Sequence, residues 1–316
     1  MTRITTVFLC AVLCVIAASV SFAYDVATST EKLILDSEGR PLCGDYLGQE
    51  PPGQIPVLFA PGVVSTDLGM YGTVVFTSDH SEAYWVADES PDMWWSKRVN
   101  DCWIEPRILP LLDNHRINSP VLSVDDQRLY FLAAEHGIGG HDENDRIWVA
   151  ERTADGWAEP QCLGEAVNGT SKHFQFSVDA VGNVYFGGGK GGDVHVARRT
   201  TDGYHPARPV GAPIDSDDPD VDPCISPDGT CLIFTRFLSS PPGAFLFASF
   251  RQPSGDWTEP VMLNDVLDSQ NNDSGARFSP DGRYFFFQSC RPGSEPNRSV
   301  YWVDAKILEP LNAASR

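Results

Sequence analysis

Basic charge is scarce in this chain. Its 316 residues hold 23 Lys and Arg against 43 Asp and Glu, for a formal net charge of −20. No Lys/Arg surplus is left to grip a polyanionic backbone, so no nucleic-acid partner is expected. After residue 23 there is no apolar run of spanning length, and no membrane insertion is expected either. Cys-x-x-Cys pairs are absent and no His stands at zinc-ligand spacing, which argues against a structural zinc site. A Gly-x-Ser-x-Gly elbow is missing too. Gly187-Gly-Gly-Lys-Gly-Gly192 lacks the Ser or Thr that would follow Lys in a phosphate-cradling loop, and reads as a hairpin loop.

What is present specifies a core and many turns. Apolar residues make up 42% and aromatics 11%, enough for a sizeable interior. The 27 Gly and 24 Pro favour short strands joined by tight turns. At the N-terminus Arg3, the apolar stretch Val7 to Val20 and Ser21-Phe22-Ala23 form the three regions of a signal peptide over residues 1–23. About 14 apolar residues are too few to span ~30 Å of hydrocarbon, so cleavage and export to the periplasm or beyond are expected. Residues 24–52 read as an N-terminal extension and 53–316 as one domain. In an oxidising compartment Cys43, Cys102, Cys162, Cys224, Cys231 and Cys290 permit three disulfides. Their spacing does not choose a pairing, and buried thiols are the other reading.

An internal repeat decides the fold class. Trp103-Ile-Glu-Pro106, Trp157-Ala-Glu-Pro160 and Trp257-Thr-Glu-Pro260, with a degenerate Tyr204-His-Pro-Ala207, recur about every 50 residues. Asp-containing turns keep the same beat: Ser78-Asp79-His80, Asp125-Asp126-Gln127, Asp179 to Gly182, Pro227-Asp228-Gly229 and Pro280-Asp281-Gly282. Pro presets φ, Asp bonds its own backbone and Gly supplies positive φ, so each is a turn with a mechanism. Aromatic and β-branched runs such as Val184-Tyr-Phe186 and Tyr284-Phe-Phe-Phe287 flank them. Each repeat therefore reads as a four-stranded antiparallel blade, and the chain as an all-β propeller.

Five Asp turns predict five blades, with six the alternative if residues 24–52 help to build another. The last blade runs out of chain before its fourth strand. Pro56-Val-Leu-Phe-Ala-Pro-Gly-Val-Val-Ser65 resembles the segment after the last Trp tetrapeptide, Pro260 to Ser269. The N-terminal segment is thus expected to supply the missing outer strand, burying Val57, Phe59 and Val63 and hiding an open sheet edge.

Ser226-Pro-Asp-Gly-Thr-Cys-Leu-Ile-Phe234 and Ser279-Pro-Asp-Gly-Arg-Tyr-Phe-Phe-Phe287 resemble the Pro-Asp-type WD40-like β-propeller repeat, the kind found in the periplasmic protein TolB. The resemblance extends over about residues 45–310. Blades one to three depart from the strict Pro-Asp-Gly turn. It implies a TolB-like exported protein that binds partners rather than catalyses, although a fold alone does not carry a role.

Candidate chemistry is acidic. Asp218, Asp220 and Asp222 alternate with period two, so on a strand they face one way and suit a hard cation such as Ca²⁺. Pro223 stands where an EF-hand requires Gly, which rejects that motif. His136, His141, Asp142, Glu143 and Asp145 form a loop with transition-metal ligand types. The first strand of each blade runs nearest the axis, and counting back from each Asp turn places His173, Asp220, Asp222 and Asp273 at one mouth of the channel. They are the candidate ligand-binding residues. The Trp residues, once per blade, read as packing groups before sugar platforms. A monomeric binding or scaffold propeller follows, holding a protein, glycan or small polar ligand. The competing reading is a carbohydrate-active hydrolase or lyase that uses acids in the funnel.

Overall fold

The computed structural model describes residues 22–23, 31–70, 72–87, 90–135, 145–269, 272–291 and 298–315. Most of the expected signal peptide, and the loop from His136 to Glu143, lie outside these residues. None of the described helices is long and apolar enough to cross a membrane.

Five antiparallel sheets form five blades, innermost strand first in each. Blade one comprises Val75–Phe76, Glu82–Val86, Met93–Val99 and Arg107–Leu109. Blade two has His115–Leu122, Arg128–Glu135, Arg146–Thr153 and Gln161–Cys162. Blade three follows with Lys172–Val178, Val184–Gly188, Asp193–Ala197 and Arg208–Pro209. Blade four contains Asp220–Ile225, Cys231–Ser239, Pro242–Phe250 and Val261–Met262. Blade five takes Asp273–Phe278, Tyr284–Ser289 and Ser299–Asp304 from the end of the chain, and its outer strand, Val57–Leu58, from the beginning. The Asp turns work as expected: Ser123, Ser226 and Ser279 each donate their hydroxyl to the Asp two residues on, at 2.5–2.6 Å. Gly187 lets the inner strand of blade four come close, since a Cβ there would meet Val221 Cα at 2.8 Å.

The closing strand pairs Val57 with Trp302 and Leu58 with Tyr301. Its inward residues differ from the expected set. Phe59 and Val64 are sealed in the core, Val63 is partly buried, and Val57 is 41% exposed on the outer face. A positive φ of 42° at Ala60 turns the chain directly after the strand, and beyond that turn Val64 rather than Val63 is the sealed residue. Ser65 then locks the segment down, accepting the Val300 N–H at 3.1 Å and donating to the Val300 carbonyl at 3.3 Å.

Residues 31–48 pack onto this seam. Ile34 N–H donates to the Trp103 carbonyl and Trp103 N–H to that of Leu42. Tyr46 and Leu47 enter the core among Phe76, Phe286 and Trp302. Cys43 and Cys102 form a disulfide between this segment and blade one. It is the one disulfide among the described residues, while Cys224 and Cys231 are buried thiols.

Beyond the four strands, each of the first four blades carries an aromatic hairpin. Arg98 faces Trp103, Arg152 faces Trp157, Arg199 faces Tyr204 and Arg251 faces Trp257 across two-residue pairings or a single bridge. In three of them the guanidinium lies over the ring, 4.0 Å from the Trp157 centroid, 4.9 Å from Tyr204 and 4.7 Å from Trp257. At Trp157, Tyr204 and Trp257 the repeated motif therefore marks a cation–π hairpin.

Candidate functional site

The inner strands share an irregularity that shapes the channel. Register shifts lie between Asn118 and Val121, His173 and Phe176, Val221 and Cys224, and Ser274 and Arg277. At or beside that level Gly72, Ser119, Asp222 and Gly275 have φ of 92°, 50°, 52° and 60°. Each bulge breaks the two-residue alternation, which is why period-two counting misplaces the side chains before it.

Asp218, Asp220 and Asp222 accordingly do not share one face. Asp218 accepts from Ser239 Oγ at 3.2 Å. Asp220 is fully buried, meets Arg236 Nε at 2.6 Å and accepts from Ser216 N–H and Oγ at 2.8 and 2.9 Å. Asp222, within the bulge, instead reaches blade three, accepting from Gln175 N–H at 2.9 Å, and also accepts from Thr235 Oγ1 of its own blade at 3.1 Å. Among the described residues no three His, Cys, Asp or Glu side chains are grouped to hold a metal ion. Asp273 repeats the Asp220 arrangement, paired with Arg291 at 3.3 Å and accepting from Ser289 Oγ at 2.6 Å. His173 lies on the inner strand of blade three, opposite Gly187. Of the metal-type loop, Asp145 alone is described, buried and paired with Arg116 at 3.1 Å.

Two of the four channel candidates are thus held in internal ion pairs. Among the described residues no such cation pairs with Asp222. Burial pushes its carboxyl up to about 6, only partly offset by the Gln175 and Thr235 hydrogen bonds and the more distant Arg298 and Arg277. Among the described residues Thr73 Oγ1, Asn118 Oδ1, Ser119 Oγ and Gln175 Oε1 are also buried without a hydrogen-bond partner, each from an axial segment of blades one to three. Gln175 crosses the axis: a Cβ on Gly275 would lie 2.0 Å from its Nε2, and one on Gly72 would lie 3.5 Å from its Oε1. The channel is polar at this end, and Gln175 lies across it.

A pH prediction follows from Asp222. Its folded-state value lies above the ordinary carboxylate value, so the protonated form is favoured by folding. The stabilisation is complete below pH ~4 and is lost as pH rises through about 6. A rise of about two units corresponds to ~3 kcal/mol. Asp222→Asn should therefore gain up to that much on wild type between pH 4 and pH 7.5, read from urea unfolding at both. A difference that does not change with pH would show Asp222 to be ionised and well solvated.

At the opposite end the Asp turns surround a cavity of about 80 Å³, walled by Phe76, Val121, Val178, Ile225 and Phe278, with Arg277 on its side. That volume holds a few waters and no drug-sized ligand. A larger concavity, about 620 Å³, opens between blades three and four. Tyr185, Arg198, His205, Arg208, Arg251 and Trp257 lie along it. Trp103 and Trp157 are 0% and 2% exposed, whereas Trp257 is only partly buried. Counting acids toward the axis overlooked this cleft. Of its three arginines Arg251 alone belongs to the hairpin pattern, six residues before Trp257, so the repeat did not reveal the cleft.

No family model and no curated protein matches the sequence. The structure is similar to that of a TolB-type protein of Agrobacterium tumefaciens, with 16% identity over 64% of this chain and 62% of that one and a TM-score of 0.39. TolB of Acinetobacter baumannii gives 15% identity over 77% of this chain and 52% of that one, with a TM-score of 0.43. An endo-arabinase of Bacteroides thetaiotaomicron gives 13% identity, 81% and 97% coverage, and a TM-score of 0.48. The chain spans less than two thirds of either TolB-type protein. These likenesses do not bear on activity, and they include both TolB proteins and a hydrolase.

Proposed function

We propose that this is an exported, non-catalytic binding propeller that holds its ligand in the cleft between blades three and four. The carrying observation is how the channel acids are used. Asp220 and Asp273 are buried against Arg236 and Arg291, and Asp222 accepts hydrogen bonds from Gln175 and Thr235. Glycoside cleavage needs one carboxyl group poised to give a proton and another facing the sugar. These three are occupied inside the protein, whereas the cleft is open and lined by aromatic and cationic groups. The Cys43–Cys102 disulfide fits an oxidising compartment and supports the export expected from residues 1–23. Phe22–Ala23 lie against Gly156–Trp157 outside the four blade strands, so signal cleavage would remove no blade strand.

A glycan-array screen run beside a turnover screen on the same panel tests this reading. Retention of one or more glycans with no new reducing end or unsaturated product is the expected result. Product release at a rate above the uncatalysed background would replace it with the hydrolase or lyase reading.

A further inference from the structure

The charge of the cleft runs against that of the chain. In a protein of net charge −20, Arg198, Arg208, Arg251 and His205 gather along one concavity, with Asp256 the one carboxylate on its lining. Nine other arginines, among them Arg98, Arg152 and Arg236, lie within 4.0 Å of a carboxylate. No such ion pair includes Arg198, Arg208 or Arg251 among the described residues. Arg251 is held over the Trp257 ring, and both Arg251 and Arg198 act electrostatically on the Tyr185 hydroxyl. Both line the same concavity at the blade seam. Three guanidinium groups along one cleft, with a single carboxylate on its lining, give it a positive potential that attracts an anion.

The walls narrow the choice of anion. Pro206, Pro209 and Pro213 present flat apolar surface without an N–H donor beside the Trp257 indole, while the guanidinium forks match planar or tetrahedral oxyanions. About 620 Å³ is within the range of small-molecule clefts. We infer that the cleft binds a short anionic saccharide, whose ring faces lie on the apolar wall and whose carboxylate or sulfate groups meet Arg198, Arg208 and Arg251. This rests on the binding reading above and names the ligand class it lacked.

Calorimetry of the full mature chain tests the inference, with three probes of equal length: an oligogalacturonate, a sulfated galactan oligomer and the neutral galactan oligomer. One or both anionic probes should bind at least tenfold more tightly than the neutral one, the better of the two identifying carboxylate or sulfate. Their affinity should fall with added salt. The double variant Arg198→Gln, Arg208→Gln alters two exposed side chains that have no ion pair, so its melting temperature should stay near that of wild type. It should lose at least tenfold affinity for the anionic probe and none for the neutral one. Equal affinity for neutral and charged probes would overturn the anionic class and leave the binding reading intact. Cleavage of a bound anionic probe would overturn the non-catalytic reading and leave the class intact. An acidic peptide that binds where none of the three sugars does would overturn the saccharide.

Discussion

A chain lacking residues 24–66 is expected to emerge aggregated or without a cooperative unfolding transition. The deletion takes away Val57–Leu58, and with it every backbone partner of the outer edge of blade five. It also removes Phe59, Val64, Tyr46 and Leu47, all buried in the cluster that joins blade five to blade one. Phe59→Ala alone should cost on the order of 3–5 kcal/mol, a large part of the ~5–15 kcal/mol that holds a typical domain together. An exposed Ser299–Asp304 edge would then be free to pair with other molecules. The deletion also unpairs Cys102, so full-length Cys43→Ser, Cys102→Ser is the control for disulfide loss. If the truncated chain melts cooperatively at the full-length temperature, the N-terminal strand does not close the ring.

The hairpin tryptophans should separate into two classes. Trp103→Ala and Trp157→Ala each remove a ring that is 0% or 2% exposed and should cost about 3–5 kcal/mol. Each also loses an indole N–H bond, to the Gly44 carbonyl at 2.7 Å or to Tyr84 Oη at 3.3 Å. Trp257→Ala, at an open seam, should cost only about 1–2 kcal/mol while weakening ligand binding. Urea unfolding at constant slope measures all three. Equal losses at the three positions would return Trp257 to a purely packing role.

The sequence was most legible where the repeat is physical. Asp turns, the 50-residue beat and the orphaned last blade were enough for five blades and an N-terminal closing strand, because turn chemistry and unpaired edges are local and general. The side chains near the axis were harder to place. Period-two counting assumes a regular strand, and the bulges at Ser119, Asp222 and Gly275 break that regularity at the level where the candidate acids stand. Asp220 and Asp273 begin inner strands, but their partners are distant in sequence: Arg236, opposite Asp220 on the next strand, is 16 residues on, and Arg291, beyond the next strand of its blade, is 18 residues on from Asp273. Similarly, the cleft brings together Arg198, Arg208 and Arg251, which no single repeat contains. Only the packing of two blades assembles it.

Because the strand that completes blade five is near the start of the chain, it is synthesised first and used last. Val57 and Leu58 cannot find Trp302 and Tyr301 until nearly the whole polypeptide has left the ribosome. Throughout that interval the segment needs a holding place. The Cys43–Cys102 bond offers one, since both cysteines are available once the first blade has appeared. Oxidation at that stage would tether the waiting strand beside the seam it must later fill. The order of assembly would then be set by the timing of thiol oxidation as much as by the blades themselves.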